Sequence, residues 1–365
     1  MPISRPIEPL VATDDELRAA LEDAFLPALL PALAQATGDF SILRESLRPP
    51  GVAPGVQQGG MTPAQQAEAK EVAFEALKRL RDGQVSGEVP VEEALLRITA
   101  WMTGSPVSED YVPLLLEELA PEGQDPRAPT WRKDPSIPFN VIVIGAGMSG
   151  ILAGIRLKQA GIPFTILEKN HDIGGTWLEN SYPGARVDVS NAFYSYSFAQ
   201  KIDWPTHYST QPVLLEYFQE CAREFGVREH VQFNTEVTLL QWDHDRAAWV
   251  VHVRRADGTE EELCANAVIS AVGQLNRPKI PDIPGLERFR GPQFHSARWD
   301  HSVDLAGKRV AVIGTGASAA QFIPEVAKVA GEVTIFQRTP NWYVPVPHYH
   351  DEVPAGLRWL FTHVP

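Results

Sequence analysis

The sequence predicts an α/β fold in which two strand, turn, helix, strand units follow an α-helical N-terminal extension. Three observations carry this. Two glycine-rich loops, GAGMSG at 145–150 and GTGASA at 314–319, each follow a short run of β-branched residues and open a helix-like run. Residues before position 120 instead repeat apolar side chains every three or four positions. Between the two textures lies PEGQDPRAPTWRKDPSIP, with five prolines. Helical periodicity giving way to alternating strand and helix is the signature of a parallel sheet with crossovers. The resulting segments are a helical extension (1–120), a proline-rich linker (121–138), a first nucleotide-binding unit (139–288), a connection (289–304) and a second nucleotide-binding unit (305–365).

In the extension, DDELRAALEDAFLPALLPAL opens with acids suited to a cap and first turn. It then spaces Leu17, Leu21, Phe25 and Leu29 at intervals of four. A second helix has Thr62 as N-cap, Pro63 as first helical residue and Gly83 as terminator. VEEALLRITAWM and YVPLLLEELA read as two more. Their apolar faces pack on each other, on the next domain or on a second copy of the chain, and the sequence does not choose among these. Each proline of the linker removes a backbone donor and disfavours helix in the residue before it. Trp131 is expected to lay the linker over a surface.

The bulk numbers narrow the function. With 365 residues, 44% of them apolar, the chain is large enough for two or three cores. A net charge of −14 argues against nucleic acid as a partner, because neutralising phosphates needs clustered cations. The acidity lies mainly in residues 1–138, which hold 12 basic and 22 acidic side chains, a net of −10. The N-terminus MPISRPIEPL lacks the basic-then-apolar pattern of a signal peptide, and no apolar run is long enough to span a bilayer. A cytoplasmic protein with no membrane partner is expected. Cys221 and Cys264 give neither a disulfide framework nor a metal-ligand spacing, so no metal is expected.

The first loop stands in FNVIVIGAGMSGILAGIRLKQAGIPFTILEKN, a complete strand, turn, helix, strand unit. Gly145 permits the tight turn, Gly147 lets the backbone approach a pyrophosphate, and Gly150 lets helix and sheet pack closely. Amides at the helix start then bind the phosphates. Glu168, 23 residues after Gly145 and ending the second strand, is positioned for ribose hydroxyls. The second loop repeats the architecture with Gly314, Gly316 and Ala319 after the strand Val310–Ile313, and the next strand ends in Gln337, Arg338 and Thr339. Arg338, 24 positions after Gly314, is a cation where the first unit has Glu168. It suits a 2′-phosphate and selects NADPH over NADH. Two nucleotide sites of different kind imply electron transfer between two cofactors. Both units are expected to be Rossmann-type dinucleotide-binding domains.

A disulfide reductase of this architecture needs a CxxC-like pair, which the two cysteines, 43 residues apart, do not form. The connection instead reads FRGPQFHSARWD, in which Phe289, Gly291, His295, Trp299 and Asp300 fit the pattern FxGxxxHxxxWD. Downstream of the first loop stand GGTW at 174–177 and YPGARVD at 182–188. With these motifs the chain resembles the Baeyer-Villiger branch of the flavin-dependent monooxygenases. DDELRAAL, LAQATGDFSIL, DPRAPTW and SAVGQLNRPKIP extend the likeness over essentially the whole chain, toward the 4-hydroxyacetophenone monooxygenase group.

The resemblance implies FAD and NADPH as cofactors, O2 as co-substrate and oxidation of a small ketone, an aryl ketone to an aryl ester. Nitrogen- or sulfur-oxygenating relatives carry looser forms of the fingerprint. For FAD it implies Gly145, Gly147, Gly150, Glu168, Gly175, Thr176, Trp177, Asp188, Tyr194 and Val237. Trp177 and Tyr194 also read as ordinary aromatic core. For NADPH it implies Arg186, Gly314, Thr315, Gly316, Ala317, Ser318, Ala319, Gln321, Arg338 and Thr339. Asp188 is expected to orient the arginine that the family uses in oxygen activation. His295 is expected to serve a hinge, with general base as the other reading, and Phe289 and Trp299 to anchor that connection by packing. The resemblance further implies a homodimer through the helical extension. It makes the chain the N-terminal part of a longer enzyme whose oxygen-activating arginine lies beyond residue 365, so that an inactive fragment is the other expectation.

Overall fold

Thr13 starts the first helix of the structure, a computed structural model that describes residues 8–51, 56–85, 89–119 and 125–364. The chain divides into two units, one made of residues 1–127, 188–208 and 343–365 and the other of 128–187 and 209–342.

In the first unit, Thr13 Oγ1 accepts from the Glu16 amide at 3.3 Å while the Glu16 carboxylate accepts from the Thr13 amide at 2.8 Å. This capping box opens α1 (Asp14–Glu22). The helical run expected over residues 14–33 is two helices, because the chain breaks at Asp23 and restarts as α2 (Leu26–Thr37). Pro27 falls in the first turn of α2, where its missing N–H is not needed, whereas a continuous helix would leave its ring against the preceding turn. Phe25, in the break, is 40% exposed and leaves the row of leucines. The helix α3 (Pro63–Arg81) has Thr62 as N-cap with Gln65 closing the box, and Gly83 follows it at φ 67°. Two further helices follow, α4 (Val91–Thr103) and α5 (Val112–Leu119). The apolar faces converge on one core containing Leu17, Leu30, Leu33, Leu77 and Trp101, which Leu360 of the helix Ala355–His363 completes. The extension therefore packs on itself and on residues far along the chain.

The second unit is built on four parallel strands in the order β3-β2-β1-β7. These are β1 (Val141–Ile144), β2 (Phe164–Leu167), β3 (Val231–Gln232) and β7 (Ala267–Ser270). Between β1 and β2 runs α6 (Met148–Gln159); between β2 and β3 come the short α7 (Thr176–Glu179) and α8 (Gln211–Glu224). An antiparallel meander, β4 (Thr235–Asp243), β5 (Ala248–Arg255) and β6 (Glu260–Ala265), is inserted before β7. Val251 and Val253 of the meander share a core with Ile142 and Leu167 of the parallel sheet. The second glycine loop lies between β8 (Arg309–Ile313) and α9 (Ala317–Ala327), and β9 (Glu332–Phe336) pairs with β8 in parallel.

Two expectations are corrected. Trp131 is 59% exposed and does not pin the linker, whose bond from the Lys133 amide to the Ala160 carbonyl ties it to the end of α6. Residues 121–124 of that linker lie outside the described residues. Phe289 is 57% exposed and is not a packing anchor. Cys221 is buried in α8, where desolvation pushes its thiol up to about 12, so it stays protonated at neutral pH. No helix among the described residues is long and apolar enough to cross a membrane.

Leu30 has no exposed surface. Its truncation, Leu30→Ala, is expected to cost about 3 kcal/mol through lost contacts and a residual cavity. Phe25→Ala is expected to cost less than about 1 kcal/mol. Urea unfolding midpoints of the two variants check the contrast.

Candidate functional site

The first glycine loop is closed at both ends by the backbone. The Gly145 amide donates to Leu167 O at 2.8 Å, which carries the chain from β1 across the end of β2, and Gly147 caps α6. Gly150 is required by close approach, since a Cβ there would sit 1.9 Å from the Gly145 carbonyl oxygen. The first turn of α6 consequently lies directly on the loop, with its unbonded amides at the loop's mouth. Glu168 follows β2 and is 3% exposed. One carboxylate oxygen accepts from the Ala146 amide at 2.7 Å and the other from the Asn170 amide at 2.8 Å. A buried carboxylate is tolerated here because both oxygens have donors.

The GGTW turn lies against this loop. The Gly174 amide donates to Ala146 O at 3.1 Å, Gly175 touches Gly147 backbone to backbone, and Trp177 is 8% exposed while Thr176 is exposed. Thus Gly145, Gly147, Gly150, Glu168, Gly175, Thr176 and Trp177 form one cluster. Val237 is on β4, half-buried against the core shared by the meander and the parallel sheet, beside a register shift in the β4–β5 pairing. Asp188, exposed, and Tyr194, half-buried, belong to the other unit.

The second loop reproduces the closing bond of the first: the Gly314 amide donates to Phe336 O at 2.9 Å, and Gly316 caps α9. Ala319 is buried where the first loop has Gly150, while Ala317 is exposed and Ser318 half-buried. Thr315 Oγ1 accepts from Gln337 Nε2 at 2.8 Å and donates to Asn341 Oδ1 at 2.7 Å. These bonds draw the residues after β9 over the loop. The strand stops at Phe336, two residues before Arg338, and Arg338 and Thr339 are both exposed. Arg338 forms no ion pair among the described residues.

The 289–300 stretch proves to be a set of fixed corners. His295 Nδ1 accepts from the Ala297 amide at 3.1 Å and caps the short turn Ser296–Arg298. A neutral His295 therefore carries its proton on Nε2. Asp300 accepts from both the amide and the hydroxyl of Ser302, at 3.0 and 2.6 Å, closing the next turn. Trp299 does pack, its ring 5.1 Å from Phe294 and 5.3 Å from Phe322 of α9. Phe289 folds its ring back over Gly291.

Sequence reasoning missed the node that holds this stretch in place. Glu179, at the end of α7 and with a side chain 7% exposed, receives Asn170 Nδ2 at 2.9 Å, Lys169 Nζ at 3.0 Å and Arg298 at 2.9 Å. His301 Nε2 meets Ser181 Oγ at 2.8 Å beside it. No local signal announces the pair, because Arg298 lies 119 residues from Glu179 at a variable position of the fingerprint. Burial alone would push the Glu179 carboxyl up. The bonds from Asn170 and Lys169 and the nearby cations outweigh it and hold the carboxyl below its usual 4.5. Its stabilisation is thus present above the unfolded value and is lost as pH falls through the depressed folded value. The stability gap between wild type and Glu179→Gln, read from urea midpoints, is expected to be widest near neutral pH and to close below pH 4.5.

A family model described as flavin-binding monooxygenase-like matches residues 139–351. The uncharacterized monooxygenase y4iD of Sinorhizobium fredii is 38% identical over 351 residues, covering 95% of this chain and 52% of that protein. A Baeyer-Villiger monooxygenase of Streptomyces coelicolor is 48% identical over 206 residues, covering 56% of this chain and 39% of that one. Among solved structures, OTEMO in complex with FAD and NADP is similar with a TM-score of 0.53 at 39% identity, over 58% of this chain and 41% of that one. The chain spans about half the length, or less, of these relatives. Both glycine loops and the stretch between them fall inside the matched region, and the chain belongs to the flavin-binding monooxygenase-like family.

Proposed function

We propose that residues 139–288 hold FAD and residues 305–365 begin a site for NADPH, as the nucleotide-binding part of a Baeyer-Villiger monooxygenase. The observation that carries this reading is the contrast between the two second-strand ends. A buried carboxylate, Glu168, closes the first, and an exposed cation, Arg338, follows the second. The Glu168 oxygens each accept one amide and retain further lone pairs, which fit the hydroxyl donors of a ribose. The glycine backbone beside the α6 N-terminus fits a pyrophosphate. An arginine fits a 2′-phosphate through its forked donors.

Bound flavin supplies the electron transfer from nicotinamide and the activation of oxygen. The chain's own residues bind and orient. Glu168 and the 145–150 loop fix the adenosine end, and the GGTW turn, held on that loop by the bond from Gly174, carries Thr176 and Trp177 toward the ring system. In this reading Val237 lies near the adenine, and Asp188 and Tyr194 are the family-implied contributions of the segment that follows YPGAR. Thr315, Ala317, Ser318 and Thr339 line the second nucleotide. His295 keeps a corner of the connection, consistent with its use of Nδ1 as a cap.

The substrate proposed is a small ketone, an aryl ketone oxidised to its ester. Because the chain spans about half of y4iD, whole-protein turnover is a proposal separate from cofactor binding. Flavin content and absorbance of the purified chain test the first. Ester formation from 4-hydroxyacetophenone with NADPH and O2 tests the second, and a colourless chain that takes up no added FAD would sink both. For the cofactor sites, Glu168→Ala is expected to weaken FAD binding at least about tenfold in flavin fluorescence titrations. Arg338→Ala is expected to weaken NADP+ about tenfold while leaving NAD+ unchanged.

A further inference from the structure

We propose that Gln321 is a positioning residue that fixes Arg186 for the phosphate of the second nucleotide, acting through the backbone of the 182–186 loop and not by touching the nucleotide. The inference rests on the reading of the second loop as an NADPH site.

The loop YPGAR is pinned from two sides. On one side Arg186 and Thr210 form an antiparallel bridge, with the Val187 amide donating to Ser209 O at 3.0 Å and the Gln211 amide to Ala185 O at 2.8 Å. These two bonds flank the Arg186–Thr210 pair, so the N–H and C=O of Arg186 itself face away from that partner. On that other side stands the amide of Gln321, in the second turn of α9. Its Nε2 donates to Arg186 O at 2.7 Å, and its Oε1 accepts the Tyr182 hydroxyl at 2.8 Å and, at the long limit, the Arg186 amide at 3.4 Å. The side chain thus acts as a one-residue strand laid along Arg186.

Two further contacts hold the loop on the same helix. A Cβ on Gly184 would lie 2.8 Å from the Gln321 carbonyl oxygen, so only glycine permits this approach. Tyr182, 9% exposed, sets its ring edge-on to Phe322 at 6.0 Å.

Both heavy atoms of the Gln321 amide head are therefore engaged by the 182–186 loop. One N–H and the oxygen of the Gln321 amide are thus committed to the loop, and Arg186 is held on a backbone fixed along both edges. A guanidinium presented in this way loses less freedom when it closes on a phosphate, and its planar donors match phosphate oxygens.

The test is calorimetric titration of NADP+ into the FAD-loaded full chain for wild type, Gln321→Ala, Arg186→Ala and the double variant. The expected result is an about tenfold weakening by Gln321→Ala, a larger one by Arg186→Ala, and no further loss when Gln321→Ala is added to Arg186→Ala. Equal losses in both backgrounds would mean that Gln321 contacts the nucleotide itself and would overturn the proposal, as would unchanged affinity in Gln321→Ala. Gln321→Glu keeps the size and the acceptor but loses the donor to Arg186 O, and it guards against misfolding. It is expected to speed hydrogen exchange across residues 185–187 while leaving the rest of the chain protected; unaltered exchange there would sink the clamp. Absence of NADP+ binding by the wild-type chain would instead overturn the nucleotide reading and the phosphate role of Arg186, and the exchange result would then report on the clamp alone.

Discussion

Glu168 is where the first nucleotide unit is tied together. Its carboxylate spans from the turn after β1 to the turn after β2, and its own amide and carbonyl bond to Gln232 and Thr235, at the end of β3 and the start of β4. One buried residue therefore meets four segments at the edge of the sheet where the glycine loop opens. Its charge is held there by donors that the fold must build for it, since an unpaired carboxylate at this depth would be strongly destabilising. The loop, the GGTW turn and the meander all reach their places through bonds that begin at or beside it. The carboxylate that ties these segments together is the same group that the proposed function assigns to the ribose.

The parts that were legible in the sequence are those fixed by local chemistry. Thr62, Pro63 and Gly83 mark α3 because caps act within one turn. The first glycine loop is legible because only glycine allows the close approach at Gly150, and both loops because their first glycine turns at positive φ, 98° at Gly145 and 102° at Gly314. Other parts depend on distant partners and were not. Phe25 keeps the spacing of a helix yet falls in a break, because Pro27 decides the matter two residues later. The meander gives a weak signal, as its strand β4 leaves Leu239 48% and Trp242 41% exposed, blurring the alternation that marks a half-buried strand. Trp131 was expected against a surface and is in solvent, which shows how little a lone tryptophan says about packing.

The site divides along the same line. The cluster from Gly145 to Trp177 follows from motifs, but the bonds by which Glu179 and Tyr182 hold that cluster to the connection and to α9 do not. Their partners, Arg298 and Gln321, are more than a hundred residues away. Long-range polar bonds between loops leave no periodicity and no spacing rule, so they appear only once the chain is folded.

A pattern such as FxGxxxHxxxWD is easily taken for reactive chemistry because it contains a histidine and an aspartate. In this chain both side chains are spent on turning the backbone, and the tryptophan is wedged onto a helix. What the stretch sets in this chain is a succession of bends, and a histidine near an aspartate in a sequence is first of all a way of steering the backbone.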